Sequence, residues 1–444
     1  VFDRKVMGGH YAGHFGDEAV EIKPTATGKK HPVMKGVGPV TSKKLYKAGA
    51  LAFAFPLHAL SPTLRAMRFP LGHLAYCTNI HPAESWAETR NVLETHTLRV
   101  RDLVAPPGEP FAIGLRLSAR AAAELLAGDH LPRFRDWLAR ENAYVFTING
   151  FPYGDFHGTR VKEQVYRPDW SDPARLAYTK DLFHIVAALA PPDTAGSVST
   201  LPGSFKAFHA DEAAIRANLR ELAAWLDELA ASSGRDLHLG LEPEPLGHFE
   251  NTAETLGFFE RLHDGAPDAG PLTRRLGINY DCCHFALQYE EPGEALESFR
   301  RAGLRISKIH LSAALALDPR EPGAVEAVAA FDEPTYLHQV VARGGDGGIV
   351  RHTDLPETLA ADHPARRAEE WRVHFHIPLD AEPAPPLRST RQHTIDTLDY
   401  ARARPELCTH YEIETYTWGV LPAPMQRPVE DQLAAEYRWT LDRA

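Results

Sequence analysis

With 444 residues and 44% hydrophobic content, the chain can bury a large core and hold one big domain or two to three ordinary ones. A formal charge of -11 argues against a general affinity for phosphate backbones, so no nucleic-acid partner is expected and small-molecule metabolites remain. The four cysteines, Cys77, Cys282, Cys283 and Cys408, form no C-x-x-C pair and are too few for a disulfide framework, which leaves them as reduced, buried thiols in a cytoplasmic protein.

Residues 1 to about 50 are rich in Gly, Lys and His. The phrases GGHY-x-x-H from Gly8 and His31-Pro32-Val33-Met34-Lys35-Gly36 resemble the later part of the trehalose-utilisation (ThuA-like) family, a glutamine-amidotransferase-like fold. That family's full sheet does not fit in so short a segment and the chain opens without Met, so the expectation is a ThuA-like fragment or an N-terminal extension over 1–66. Next comes the longest apolar run, Ala48 to Leu60, which carries Pro56 and falls far short of the ~20 residues of a membrane span. Lys43, Lys44 and Lys47 precede it as in a secretion signal, but its internal position predicts a packed or linking segment and no membrane insertion.

From Met67 onward, short β-rich runs alternate with amphipathic stretches, the pattern of βα units and a parallel sheet. The predicted strands are 73–80, 111–118, 144–150, 196–203, 237–245, 276–284, 306–312 and 409–418. Predicted helices between them include Glu84–Val104, Pro173–Ala190, Asp211–Ala231 and Gln392–Arg402. In the third, Ile215, Leu219, Leu222, Trp225, Leu226 and Leu229 recur at three- and four-residue spacing and form one stripe. Asn251 and Glu254 make a capping pair for the helix after the fifth strand.

Eight such units over 67–444 predict an α/β fold, a (β/α)8 TIM barrel with long loops. A doubly wound open sheet is the alternative, but no phosphate-binding glycine motif follows any strand. The segment Trp371–Asp380 reads as a ninth strand with His374 and His376 on one face, expected to pair outside the barrel within a long insertion before the last strand, from Ala313 to about Pro386.

Several strands end in chemistry-bearing residues where turn formers would be ordinary. Alternation puts His238, Gly240 and Glu242 on one face, and likewise Asn279 with Asp281, Lys308 with His310, and Glu412 with Glu414. If these faces point inward, Glu242, Asp281, His310 and one glutamate of the last strand converge on a site for Mn²⁺, Co²⁺, Zn²⁺ or Mg²⁺, a divalent metal ion that would relieve the repulsion among the carboxylates. His376 competes with His310 for the imidazole position, and Glu412 with Glu414 for the last carboxylate. His284, three residues past Asp281, either contacts substrate or caps the next segment. The loop Asn149–Gly158 brings Asn149, Phe151 and His157 as substrate contacts, and Trp86, Tyr416 and Trp418 are either apolar walls or ordinary packing.

Glu242-Pro243, Asp281-x-x-His284, His310 in KIHLS and Glu414-Thr415-Tyr416 resemble the four metal-ligand motifs of the xylose-isomerase-like barrel superfamily, which includes sugar epimerases and endonuclease IV. Within it, Cys77–Thr89, Tyr166–Thr179 and His410–Pro422 resemble the EboE family of metabolite-traffic proteins. The resemblance implies a metal-dependent sugar, polyol or hydroxy-carbonyl isomerase or epimerase. The cation would stabilise an enediolate, Glu242 and Glu414 would act as acid and base, and Lys308 would shuttle a proton or pair with Glu412. Arg320-Glu321-Pro322-Gly323 reproduces only part of the phrase that epimerases carry beyond the histidine strand. A non-catalytic metabolite carrier using the same pocket is the alternative function. An endonuclease IV-like phosphoesterase is disfavoured because the early-strand histidines have no counterpart beyond His81 and His157. Homo-oligomerisation is left open.

Overall fold

A computed structural model describes residues 69–155, 157 and 161–444, together with a short antiparallel strand pair, Val20–Ile22 with Val40–Ser42. The chain divides into two compact units, Val1–Thr63 and Leu64–Ala444. The expected ThuA-like fragment and the apolar run Ala48 to Leu60 lie outside the described residues, that strand pair aside.

In the second unit the barrel strands are β1 (His73–Tyr76), β2 (Phe111–Arg116), β3 (Ala143–Asn149), β4 (Gly196–Thr200), β5 (Leu237–Leu241), β6 (Leu276–Asp281), β7 (Arg305–Leu311) and β8 (His410–Ile413). They form one eight-stranded sheet in the order β1-β8-β7-β6-β5-β4-β3-β2, and every pairing is parallel. A single parallel bridge between Cys77 and Gly114 brings the two ends together, so the sheet is a nearly closed (β/α)8 barrel. Helices cover it from outside. In Glu212–Ser233 the predicted stripe faces the sheet, with Ile215, Leu219, Leu222 and Leu226 fully buried, and Gly234 closes the helix in the left-handed conformation at φ 67°.

Two β-bulges break strict alternation inside the barrel. One sits at Phe146 against β2 and the other at Ser307 against β6. A bulge leaves one residue unpaired and re-aims its neighbours. As a result Ser307 reaches His238 while the adjacent Lys308 reaches Glu412, both within the barrel. The interior is therefore polar over much of its height: Ser197 bonds Thr147 at 2.7 Å and His410 Nδ1 at 2.8 Å.

The insertion between β7 and β8 builds a five-stranded antiparallel sheet from Leu315–Leu317, Val340–Arg343, Ile349–His352, Glu370–Val373 and Arg388–Ser389. It has its own core, in which Leu317, Val328, Val340, Trp371 and Phe375 are fully buried. The ninth predicted strand thus pairs outside the barrel. The chain then returns, and the Ile377 N–H donates to the carbonyl of Ala313 beside the end of β7 at 2.9 Å, so His374 and His376 hang over the carboxyl end of the barrel.

Gly114 marks where the barrel tolerates no side chain. A Cβ there would overlap Glu412 Oε1 and lie 2.6 Å from the carbonyl oxygen of Tyr76. Gly114→Ala should cost about 2 kcal/mol or more, because neither a buried carboxylate nor a paired strand can move aside cheaply. Denaturant unfolding checks this; an unchanged midpoint would contradict the packing.

Candidate functional site

Each strand delivers its site residue by ending at the right place. β5 stops at Leu241 because Pro243 lacks an N–H to continue the ladder, and Glu242 between them is 3% exposed with its own N–H on Thr200 O at 2.9 Å. Asp281 ends β6 and at once caps the helix Cys282–Leu287, its Oδ1 accepting from the His284 N–H at 3.0 Å and from Ser312 Oγ at 2.8 Å. His310 lies near the end of β7. Glu414 follows β8, its Oε1 accepting from Asn79 Nδ2 at 2.8 Å and Asn149 Nδ2 at 3.3 Å.

One donor atom each from Glu242, Asp281, His310 and Glu414 falls within 4.8 Å of all the others, and all four residues are buried. His310 Nδ1 lies 3.0 Å from Glu242 Oε1, 3.5 Å from Asp281 Oδ2 and 2.9 Å from Glu414 Oε2. One ring nitrogen carries at most one hydrogen, so it cannot satisfy three carboxylates. Asp281 Oδ2 in fact has no hydrogen-bond partner. Orphaned, buried anionic oxygen beside two further carboxylates is the donor set of a divalent cation, and the residues fit one.

The opposite face of His310 settles its orientation. Nε2 is 3.0 Å from Glu412 Oε2, and Lys308 Nζ is 2.5 Å from the same oxygen. A carboxylate holding the far nitrogen of a ligand imidazole fixes its tautomer and raises its basicity. Glu412 therefore orients while Glu414 faces the donor set. Lys308, 1% exposed, lies under the site and outside the cavity lining. Of the two roles expected for Lys308, proton shuttle or partner of Glu412, the contact observed is the pairing with Glu412.

The electrostatics follow from these contacts. Burial pushes the Asp281 carboxyl up, but the imidazoles of His284, His310 and His376 outweigh it and hold the group well below the usual carboxylate range. Burial likewise opposes ionisation of Glu414, and His310 overcomes it. For Glu412 the Lys308 ammonium and His310 override burial and bring it down to about 2. Burial disfavours the charged form of His310 too, yet Glu414 and Glu242 raise it well above the ordinary histidine value. Glu244 goes the other way: burial, with Glu242 near by, pushes it up to about 8 against the pull of His284.

A cavity of about 610 Å³, open to solvent, lies above the tetrad. Glu242, Glu244, His284 and Glu414 reach it, with walls from Phe151, Tyr166, Tyr336 and Tyr416. Tyr166 donates to Glu244 Oε2 at 2.7 Å and packs 5.5 Å from Phe151, while Tyr336 meets Tyr416 edge-on at 5.3 Å. Of the expected substrate contacts, Phe151, Tyr416 and His284 line this space. Asn149 instead braces Glu414 from below, and His157 ties the Asn79 carbonyl at 2.6 Å to the Tyr336 hydroxyl at 2.8 Å. Trp86 stands apart: it begins the helix Trp86–Val92, packs against Phe134 at 4.8 Å and lines a different groove with Arg90. Packing, not a cavity wall, is its observed role.

Asn79, Tyr166, Tyr336 and Gln339 also line the cavity without having been singled out as site residues, and Glu244 and His374 join them there. Asn79 and Tyr166 lie inside the phrases Cys77–Thr89 and Tyr166–Thr179, so a signal existed. Tyr336 and Gln339 come from the insertion, where no periodicity marks them.

No protein-family profile and no curated protein matches the chain. Among solved structures it is similar to the probable 3-DHS dehydratase AsbF of Bacillus anthracis, with 12% identity over 82% of this chain and 97% of that one and a TM-score of 0.42. It is similar also to a xylose isomerase-like TIM barrel protein from Mycobacterium smegmatis in complex with magnesium, with 14% identity, 78% and 86% coverage and a TM-score of 0.40. A D-psicose 3-epimerase gives 12% identity, 83% and 96% coverage and a TM-score of 0.40. Likeness at this level assigns no activity, and the site must be read from its own residues. Among the described residues no helix is long and apolar enough to cross a membrane.

Lys308→Met tests the support under His310. Removing one partner of a buried ion pair strands the other charge, so stability should fall by about 3–5 kcal/mol. Thermal unfolding against wild type measures it, and an unchanged melting temperature would show that Glu412 does not depend on this lysine.

Proposed function

We propose that the chain is a divalent-cation-dependent isomerase or epimerase of the xylose-isomerase-like kind, acting on a small sugar, polyol or related hydroxy-carbonyl metabolite. The observation that carries this reading is the buried tetrad Glu242, Asp281, His310 and Glu414 at the mouth of the barrel, under a cavity with aromatic walls. The long phrases that resemble EboE proteins support a role in metabolite handling.

A bound Mn²⁺, Co²⁺, Zn²⁺ or Mg²⁺ would supply Lewis-acid polarisation of neighbouring substrate oxygens. The chain's own groups do the rest. Phe151, Tyr166, Tyr336 and Tyr416 present apolar faces that orient a ring or chain and restrict water. Glu242 and Glu414 reach the cavity from the tetrad and would exchange a proton with a carbon next to a carbonyl. Both also serve as cation donors, and charge committed to a cation is lost to base catalysis. Glu244 reaches the same cavity from outside the tetrad, held by Tyr166, so it is the carboxyl free of that competition.

Metal analysis of the purified protein, with solvent-deuterium exchange into candidate ketoses and aldoses, tests the assignment. Glu242→Ala and Glu414→Ala should each lose the tetrad's cation, whereas Glu244→Gln should keep it and lose exchange by ~100-fold or more. Wild-type cation retention in both alanine variants would move the site elsewhere. Full cation loading with no exchange into any sugar would favour a carrier over an enzyme.

A further inference from the structure

Beside the tetrad stand three more imidazoles with an unusual arrangement. His284, His374 and His376 are 3%, 5% and 0% exposed. His284 Nε2 is 3.2 Å from His374 Nε2, which is in turn 3.3 Å from His376 Nε2. In each ring the other nitrogen is occupied by an acceptor. His284 Nδ1 lies 3.0 Å from the Pro243 carbonyl and His376 Nδ1 lies 3.0 Å from the Glu414 carbonyl. His374 Nδ1 lies 2.7 Å from Gln339 Oε1, and Gln339 Nε2 faces the Pro245 carbonyl at 3.3 Å, which fixes the amide so that oxygen meets the ring.

A carbonyl oxygen can only accept, so each Nδ1 carries a hydrogen and, in the neutral ring, each Nε2 presents a lone pair. His374 Nε2 therefore faces two other Nε2 atoms, and a proton taken up by one ring could satisfy only one of those two contacts. A bound cation would serve both at once. Holding the far nitrogen on a backbone or amide oxygen is also how proteins orient metal-ligating histidine.

We propose that His284, His374 and His376 form a second cation site, with Asp281 common to it and to the tetrad. Asp281, His284 and His376 offer donor atoms within 4.8 Å of one another, as do Cys283, His374 and His376. The two sites differ in chemistry. Three carboxylates and one imidazole suit a hard or intermediate cation, whereas neutral nitrogens with a thiol at hand select a borderline one such as Zn²⁺. The insertion explains how the barrel acquires this site. Its sheet carries Glu370–Val373, and the residues immediately beyond that strand supply two of the three imidazoles. The inference stands independently of which reaction the tetrad supports.

The test uses full-length protein stripped by a chelator and titrated with Zn²⁺, with stoichiometry read by elemental analysis. Wild type should bind two zinc ions per chain. His374→Ala and Glu414→Ala should each retain one, with affinity at the altered site lowered at least ~100-fold. A single zinc ion that survives His374→Ala and is lost in Glu414→Ala would overturn the second site and leave the tetrad standing. A single ion with the reverse pattern would keep the histidine site and remove the tetrad. No zinc binding would overturn both. Should His374→Ala fail to fold, Gln339→Leu removes only the acceptor behind the ring and should weaken zinc ~10–100-fold; unchanged affinity there would contradict the proposal.

Discussion

Four carboxylates, Glu242, Asp281, Glu412 and Glu414, are buried together around one imidazole at the end of the barrel. Like charges in a low-dielectric interior cannot all ionise without compensation. Lys308 compensates Glu412, and that pair fixes His310 from below. The remaining three crowd around the other ring nitrogen of His310, and one of their oxygens has no hydrogen-bond partner. Much else about the site follows from this crowding of charge, which the fold maintains and a bound cation would relieve.

The supporting structure consists of departures from regular strand geometry. The bulge at Ser307 lets consecutive residues of β7 serve different partners, and Gly114 leaves the space that Glu412 fills. Pro243 stops a strand so that Glu242 stands free, while Asp281 is held both as a helix cap and as a donor. The insertion then covers the mouth with its own small sheet, so the cavity is lined partly by barrel and partly by a separately packed element.

Much of this was legible in the chain. The period of two in the strands and the helical stripes are local signals, and so the eight barrel strands and the separate pairing of Trp371–Asp380 could be anticipated. Alternation likewise predicts that Lys308 and His310, or Glu412 and Glu414, share faces. It cannot say which glutamate meets the histidine from which side, because that depends on height along the barrel axis. The competition expected between His310 and His376 dissolves in three dimensions: each belongs to its own cluster, since His376 enters from above on the returning insertion. Tyr336 and Gln339 were invisible for the same reason. For Trp86 the sequence left wall and packing open, because an aromatic in a loop phrase serves either; the Ser85–Glu88 capping box starts a helix there and turns it toward Phe134.

The crowded carboxylates of Glu242, Asp281 and Glu414 should hold a cation together with His310. Anomalous diffraction from crystals soaked in Mn²⁺ is the decisive measurement. A peak enclosed by those four side chains is expected, with donor distances of ~2.0–2.3 Å. Ordered protein with no peak at the tetrad, under conditions that label other sites, would contradict it.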